Sequence, residues 1–177
     1  MLSDAEKQQL LGIARQAVCA TVGETRVLVP DVVLPRASGL FVTIKLRGEL
    51  RGCLGTLEYV HELAREVARC AADSAQVDPR FSPVTRDELT DLSFEISVLG
   101  PLEQIDPGDP STITIGRHGL VVEQGRHRGL LLPQVATEWE WTREQFLRQT
   151  CLKAGLPYDA WQQGATVFRF EAEVFGE

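Results

Sequence analysis

An alternating stretch, Phe41-Val42-Thr43-Ile44-Lys45-Leu46, runs into a short Arg47-Gly48-Glu49 turn and returns as Leu50-Arg51-Gly52-Cys53-Leu54-Gly55. Alternation of apolar and polar residues with a period of two demands strands, and the glycine-bearing turn makes the pair a hairpin. Successive strand side chains point to opposite faces, so Arg51 and Cys53 share one face and Leu50 and Leu54 the other. Gly52 has no side chain to pack, which marks a bulge or the close approach of another backbone or a ligand. A guanidinium two residues from a thiol favours the thiolate. The return strand therefore has the character of a site as well as of a fold element.

Ser3-Asp4-Ala5-Glu6 is a capping-box pattern, and Leu10, Leu11, Ala14, Ala17 and Val18 continue it at helical spacing to about Ala20. Residues 21–38 contain two prolines and little periodicity and read as a surface connection. A second helix is expected from about Val60 to Ala75, its alanines permitting close packing on a sheet. Asp78 to Pro83 is extended around its prolines, and Thr85-Arg86-Asp87-Glu88 caps a short turn of helix. Leu92–Leu99 alternates cleanly as a strand.

Asp106–Pro110, rich in Pro, Gly and Asp, is the best boundary. Beyond it, Thr112–Ile115, Leu120–Glu123 and Gly129–Leu132 read as a three-stranded meander. Thr142-Arg143-Glu144-Gln145 caps a helix with Phe146, Leu147 and Cys151 inward, stopped at Gly155-Leu156-Pro157. One more turn at Tyr158–Gln162 precedes a last strand, Thr166–Phe175, with Phe168, Phe170, Ala172 and Val174 on one face. Hairpins and lone strands without βαβ alternation make this an α+β fold with an antiparallel sheet. Phe41–Leu46, Leu92–Leu99 and Thr166–Phe175 are expected in one sheet and the meander in a separate small one.

The 177 residues suffice for one domain, or one domain with a subdomain. Cysteines 19, 53, 70 and 151 show no metal or redox spacing. Asp4, Glu6 and Lys7 interrupt the first residues and no stretch approaches a membrane span, so neither a signal peptide nor a spanning segment is expected. A cytoplasmic protein with reduced thiols is expected.

The hexapeptide Leu50–Gly55 resembles the signature of the AMMECR domain family, with Leu54 where isoleucine is commoner. The likeness continues through Asp78–Val84, Glu95–Leu99, Ile115–Leu120, Gly129–Ala136 and Cys151–Pro157, spanning nearly the whole chain in order. The resemblance implies a single domain over residues 1–177, with a larger subdomain of about 1–104 and 163–177. A smaller α+β subdomain of about 105–162 is inserted in it, with a cleft between them lined by the hexapeptide. It also implies Memo-like and radical S-adenosylmethionine proteins as partners, since family members occur beside or fused to them. It brings no established reaction.

Each candidate residue has a functional and a plain reading. Cys53 is a nucleophile or redox thiol, or a small packing residue beside two glycines; Cys19, Cys70 and Cys151 read as packing residues. Arg51 would lower the Cys53 pKa or bind an anion. His118, between glycines, is a base within reach of Cys53 or substrate, or a turn histidine bonding its own backbone. Glu95 is a solvated strand carboxylate unless its face meets the hexapeptide, where it could pair with Arg51 and move protons. Gly52 and Gly55 would admit a substrate or a partner strand. Asp78 and Arg80, stiffly spaced by Pro79, and Gln134 are candidate substrate contacts or structural bonds. His61 and His127 read as solvated, and Trp139, Trp141 and Trp161 as packing residues. There is no His-x-x-x-His spacing, phosphate loop or dinucleotide fingerprint, so no metal or other cofactor is evident.

Two functions compete. One is an enzyme acting on a bulky protein or peptide substrate through Cys53-centred chemistry, with modification of an RNA nucleoside as a variant. The other is a non-catalytic adaptor for the Memo-like and radical S-adenosylmethionine partners, docking a strand on the hexapeptide. Bulk nucleic-acid binding is not expected: eighteen Lys and Arg stand against twenty-five Asp and Glu, a net charge of −7. Without a basic stripe there is little counterion release to drive affinity. Titration with labelled single-stranded RNA and duplex DNA should show no micromolar binding at physiological salt. Micromolar binding at physiological salt that weakens steeply as salt rises would contradict this.

Overall fold

The computed structural model describes residues 2–23, 29, 38–57 and 62–177. Most of the connection expected over 21–38, and His61, lie outside them. The described chain divides into two compact units, Met1–Leu99 with Glu173–Glu177, and Gly100–Ala172.

In the first unit, α1 (Asp4–Val22) starts where the capping box places it. The Ser3 N–H donates to Glu6 Oε2 at 2.6 Å and the Glu6 N–H to Ser3 Oγ at 3.3 Å. The hairpin is β1 (Gly39–Leu46) and β2 (Glu49–Thr56). Its two-residue turn, Arg47-Gly48, has φ of 51° and 86°, the mirror-image turn that matches strand twist. β3 (Leu92–Leu99) pairs antiparallel with β1 over its whole length. Leu40, Val42, Ile44, Phe94 and Ile96 alternate onto one face and are buried against α1 and α2 (Leu63–Gln76). Full burial of each such side chain contributes roughly 1.5–3 kcal/mol.

α2 lies very close to the sheet because Ala64, Ala68, Ala71 and Ala75 leave little between the backbones. A Cβ on Gly52 would overlap the Ser74 carbonyl oxygen, so only glycine fits beneath the helix. The Ser74 hydroxyl donates to the Val42 carbonyl and accepts from the Leu54 N–H, both at 2.8 Å, bridging β1 and β2 at a paired position.

In the second unit, β4 (Glu103–Ile105) and β5 (His118–Gln124) both pair with β7 (Thr166–Gly176), and β6 (His127–Leu131) pairs with β5. α3 (Pro133–Glu138) and α4 (Arg143–Lys153) supply Ala136, Phe146, Leu147 and Cys151 to its core. Thr142 and Gln145 form the expected capping box.

β5 and β6 share their sheet with β7, which corrects the expectation that the meander lies apart from the Thr166–Phe175 strand. The eleven residues of β7 carry different partners along their length. Thr112–Ile115 is not a strand either. Asp109 accepts from the Ser111 N–H and caps a single 3-10 turn, Pro110–Thr112, that interrupts the alternation. On β7, Val167 and Phe170 are buried but Val174 is exposed, so the apolar face is not the single one expected.

Gly52→Ala should destabilise the fold by about 1–3 kcal/mol in urea unfolding, the usual cost of overpacking, because the obstructing atom belongs to a helix backbone. Wild-type stability in that variant would contradict the close approach.

Candidate functional site

The face of β1–β3 turned away from the helices carries a row that crosses three strands in register: Cys53 opposite Thr43, and Thr43 opposite Glu95. The Thr43 hydroxyl donates to Cys53 Sγ at 3.2 Å, and Lys45 Nζ lies 3.0 Å from Glu95 Oε2. All four side chains are half-buried.

The backbone of Cys53 is held from outside the β1 ladder. Its N–H donates to Asp78 Oδ2 at 2.9 Å and its carbonyl accepts from Arg80 Nη2 at 3.2 Å. Arg80 in turn donates to both Asp78 oxygens, through Nε at 3.0 Å and Nη2 at 2.7 Å, and its own N–H bonds Asp78 Oδ1. Asp78 is only 3% exposed. The Arg80 bonds, with the Cys53 and Arg80 N–H groups, hold its carboxyl well below the usual range despite burial. Asp78 and Arg80 together thus do for Cys53 what a neighbouring strand would do.

Arg51 is the extra residue of a bulge: Leu50 pairs with Lys45 and Gly52 with Ile44. Its guanidinium grips Glu88 with two bonds of 2.7 and 3.0 Å and donates to the Ser82 and Pro83 carbonyls. Chiefly through Arg51, the Glu88 carboxyl is drawn down to about 2. The expectations that Arg51 activates Cys53 and pairs with Glu95 are therefore corrected. Arg51 fastens the 82–88 segment to β2, and Lys45 is the partner of Glu95.

Burial pushes the Cys53 thiol up, offset only in part by the Thr43 hydroxyl and Arg80, while Asp78 and Glu95 raise it further. This is the opposite direction to the one expected from Arg51, which is not among the groups that move the thiol. Cys70 is pushed up to about 11 and Cys151 also up, both mainly by burial, whereas Cys19 is exposed rather than a packing residue. Gly52 faces Ser74, and a Cβ on exposed Gly55 would overlap the Leu40 carbonyl oxygen and the Phe41 ring.

His118 and Gln134 belong to the second unit. His118 Nδ1 accepts from the Thr114 N–H at 2.9 Å, so the neutral ring carries its proton on Nε2, 4.0 Å from Glu171. Burial, then Arg169 and Arg117, push its pKa down. It thus closes the turn before β5 through the backbone. Gln134 sits on α3 with Oε1 buried and unbonded among the described residues. Arg117 and Arg128 are paired with Glu171 and Glu123. His127 is exposed, Trp141 and Trp161 pack on the second core, and Trp139 is exposed rather than packed. Among the described residues no cluster of His, Cys, Asp and Glu could hold a metal ion, and no helix is long and apolar enough to cross a membrane.

Ser74, Thr43 and Glu88 are the working residues that sequence reasoning missed. Ser74 was signalled by its place on the inward alanine face of α2, Thr43 by counting hairpin register from Cys53. Glu88 already stood in the Thr85 capping box, where it accepts from the Thr85 N–H at 2.8 Å.

A family profile described as AMMECR1 matches residues 11–175. A protein of Methanothermobacter thermautotrophicus is 46% identical, the match covering 99% of this chain and 96% of that one. Protein TK0174 of Thermococcus kodakarensis is 41% identical, over 99% and 92% of the two chains. The crystal structure of the uncharacterized Pyrococcus horikoshii protein PH0010 superposes with a TM-score of 0.90 at 38% identity, covering 99% of this chain and 93% of that one.

Asp78 and Glu88 both have folded pKa values below their unfolded ones. Each contributes stability that is complete above its unfolded value, 3.8 and 4.5, and is lost as pH falls through the folded value. Unfolding free energy should therefore drop from about pH 5 towards pH 2, and Asp78→Asn with Glu88→Gln should flatten that slope. An unchanged acid profile in the double variant would refute the assignment.

Proposed function

The chain belongs to the AMMECR1 family, and from that premise we propose that it is a cytosolic docking protein whose contact surface is the open face of β1–β3 around Cys53. The observation that carries this reading is the engagement of the charged residues of the hexapeptide region in the fold. Arg51 holds Glu88 and two carbonyls, while Asp78 and Arg80 hold the Cys53 backbone. What remains for another molecule is a row of side chains, Cys53, Thr43, Glu95 and Lys45, on a rigid sheet.

Strand addition at Cys53 is disfavoured, because its N–H and C=O are already bonded. Docking is by side chains on the sheet face. The partners are those the family resemblance implies, Memo-like and radical S-adenosylmethionine proteins.

An enzyme acting on a protein, a peptide or an RNA nucleoside is the second reading, and the Thr43 hydroxyl and the Arg80 charge favour it by stabilising a thiolate. Burial opposes them and is the largest influence on the thiol. The two readings separate in a binding assay with purified Memo-like and radical S-adenosylmethionine proteins, followed by calorimetry. Cys53→Ser should keep affinity within about two-fold, whereas Lys45→Glu, which sets like charges beside Glu95, should lose about ten-fold or more. Consumption of a substrate that Cys53→Ser abolishes would overturn the docking reading.

A further inference from the structure

The second unit carries an aromatic ladder that runs from its core to solvent. Phe146 is fully buried; Trp141 packs on it at 6.4 Å between ring centroids; Trp139 stacks on Trp141 at 6.3 Å and 18° between planes. Trp139 ends the ladder with 69% of its surface exposed, the most exposed of the large apolar side chains among the described residues. A free tryptophan of that size on a surface is unusual unless something covers it.

The backbone that presents it is strained. α3 ends at Glu138, and the Trp141 N–H returns to the Ala136 carbonyl at 2.9 Å, a helix stop that places Glu140 in the left-handed region at φ 52°. Glycine or asparagine ordinarily fills that position. A glutamate there exchanges backbone comfort for a carboxylate beside the exposed ring, a substitution that strain alone disfavours.

Glu138 and Glu140 flank Trp139 in the chain, both exposed and paired with no cation among the described residues. The cations that follow are already engaged. Arg143 donates to the Pro107 carbonyl at 2.6 Å, and Arg148 pairs with Glu144 at 2.6 Å while lying over the Tyr158 ring. An exposed indole with an unpaired carboxylate on either side of it in the chain is the complement of a guanidinium or ammonium group.

We infer that Trp139, Glu138 and Glu140 form a docking spot for a basic segment of a partner protein, with an arginine or lysine side chain laid on the Trp139 ring. The stacked ladder holds the ring in place before the partner arrives, which lowers the ordering cost of binding. A second copy of this chain is a poor occupant, because it would bring a net charge of −7 to an acidic spot. The inference stands apart from the role of the β1–β3 face and does not need it.

The test is a calorimetric titration at fixed ionic strength with a capped hexapeptide of alternating glycine and arginine, against the same peptide with glutamine for arginine. The arginine peptide should give a saturable change that the glutamine peptide lacks. Trp139→Ala should weaken it about three- to five-fold, as loss of a surface cation–π contact would. Glu140→Gly separates binding from structure: it relieves the left-handed strain and should raise the thermal midpoint while still weakening the peptide. Wild-type affinity in both variants would overturn the inference. So would concentration-dependent self-association that Trp139→Ala abolishes, because it would make a second copy the occupant.

Discussion

A strand at the end of a sheet has backbone N–H and C=O groups with no neighbouring strand to bond them, and a buried one left unbonded costs about 1–3 kcal/mol. β2 ends the described strand order, and at Cys53 the problem is solved by two side chains. The Asp78 carboxylate accepts from the N–H and the Arg80 guanidinium donates to the C=O, while the two side chains bond each other. Much of the first unit is arranged around that cap. Pro79 stiffens the spacing of its two members. Arg51 and Glu88 fasten the following segment, and the Val84 N–H ties it to α2 through the Ala75 carbonyl at 2.8 Å. On the other side of the strand, Gly52 lets α2 approach and Ser74 bridges β2 to β1.

This arrangement changes what the most conspicuous residues mean. Arginine, aspartate and cysteine gathered within a few ångströms invite a catalytic reading, yet the four charged groups nearest the hexapeptide, Arg51, Glu88, Asp78 and Arg80, are neutralised in two pairs that shape the backbone. Charge-assisted bonds of this kind hold geometry firmly, and they leave the Cys53 thiol with more desolvation than stabilisation. The surface offered to other molecules is thereby shifted from the motif's charges to the row beside them, Thr43, Glu95 and Lys45.

Local signals are legible in the sequence and long-range ones are not. Leu92–Leu99 matches β3 residue for residue because its alternation is uninterrupted, and the capping boxes at Ser3 and Thr142 fixed two helix starts. Thr112–Ile115 misled because an alternation of four residues is weaker than the Asp109 cap just before it. α3 escaped because six residues opening on Pro133 carry too little periodicity. The alternation puts Arg51 on the right strand but does not reveal its partner. Glu88 is 37 residues away, and the bulge at Arg51 breaks the simple alternation that seemed to aim it at Cys53. The exposure of Trp139 was equally hidden, since composition alone assigns tryptophan to a core.

The Asp78–Arg80 cap holds β2 in place, and amide hydrogen exchange at Cys53 measures it directly. In the wild-type protein the Cys53 amide should exchange as slowly as the interior amides of β1, despite its place on the last strand of the described order. In Asp78→Ala that amide should exchange at least about ten-fold faster while Ile96, inside β3, keeps its protection. A Cys53 amide that exchanges in the wild type at the rate of an open chain, or that is indifferent to the loss of Asp78, would contradict the account.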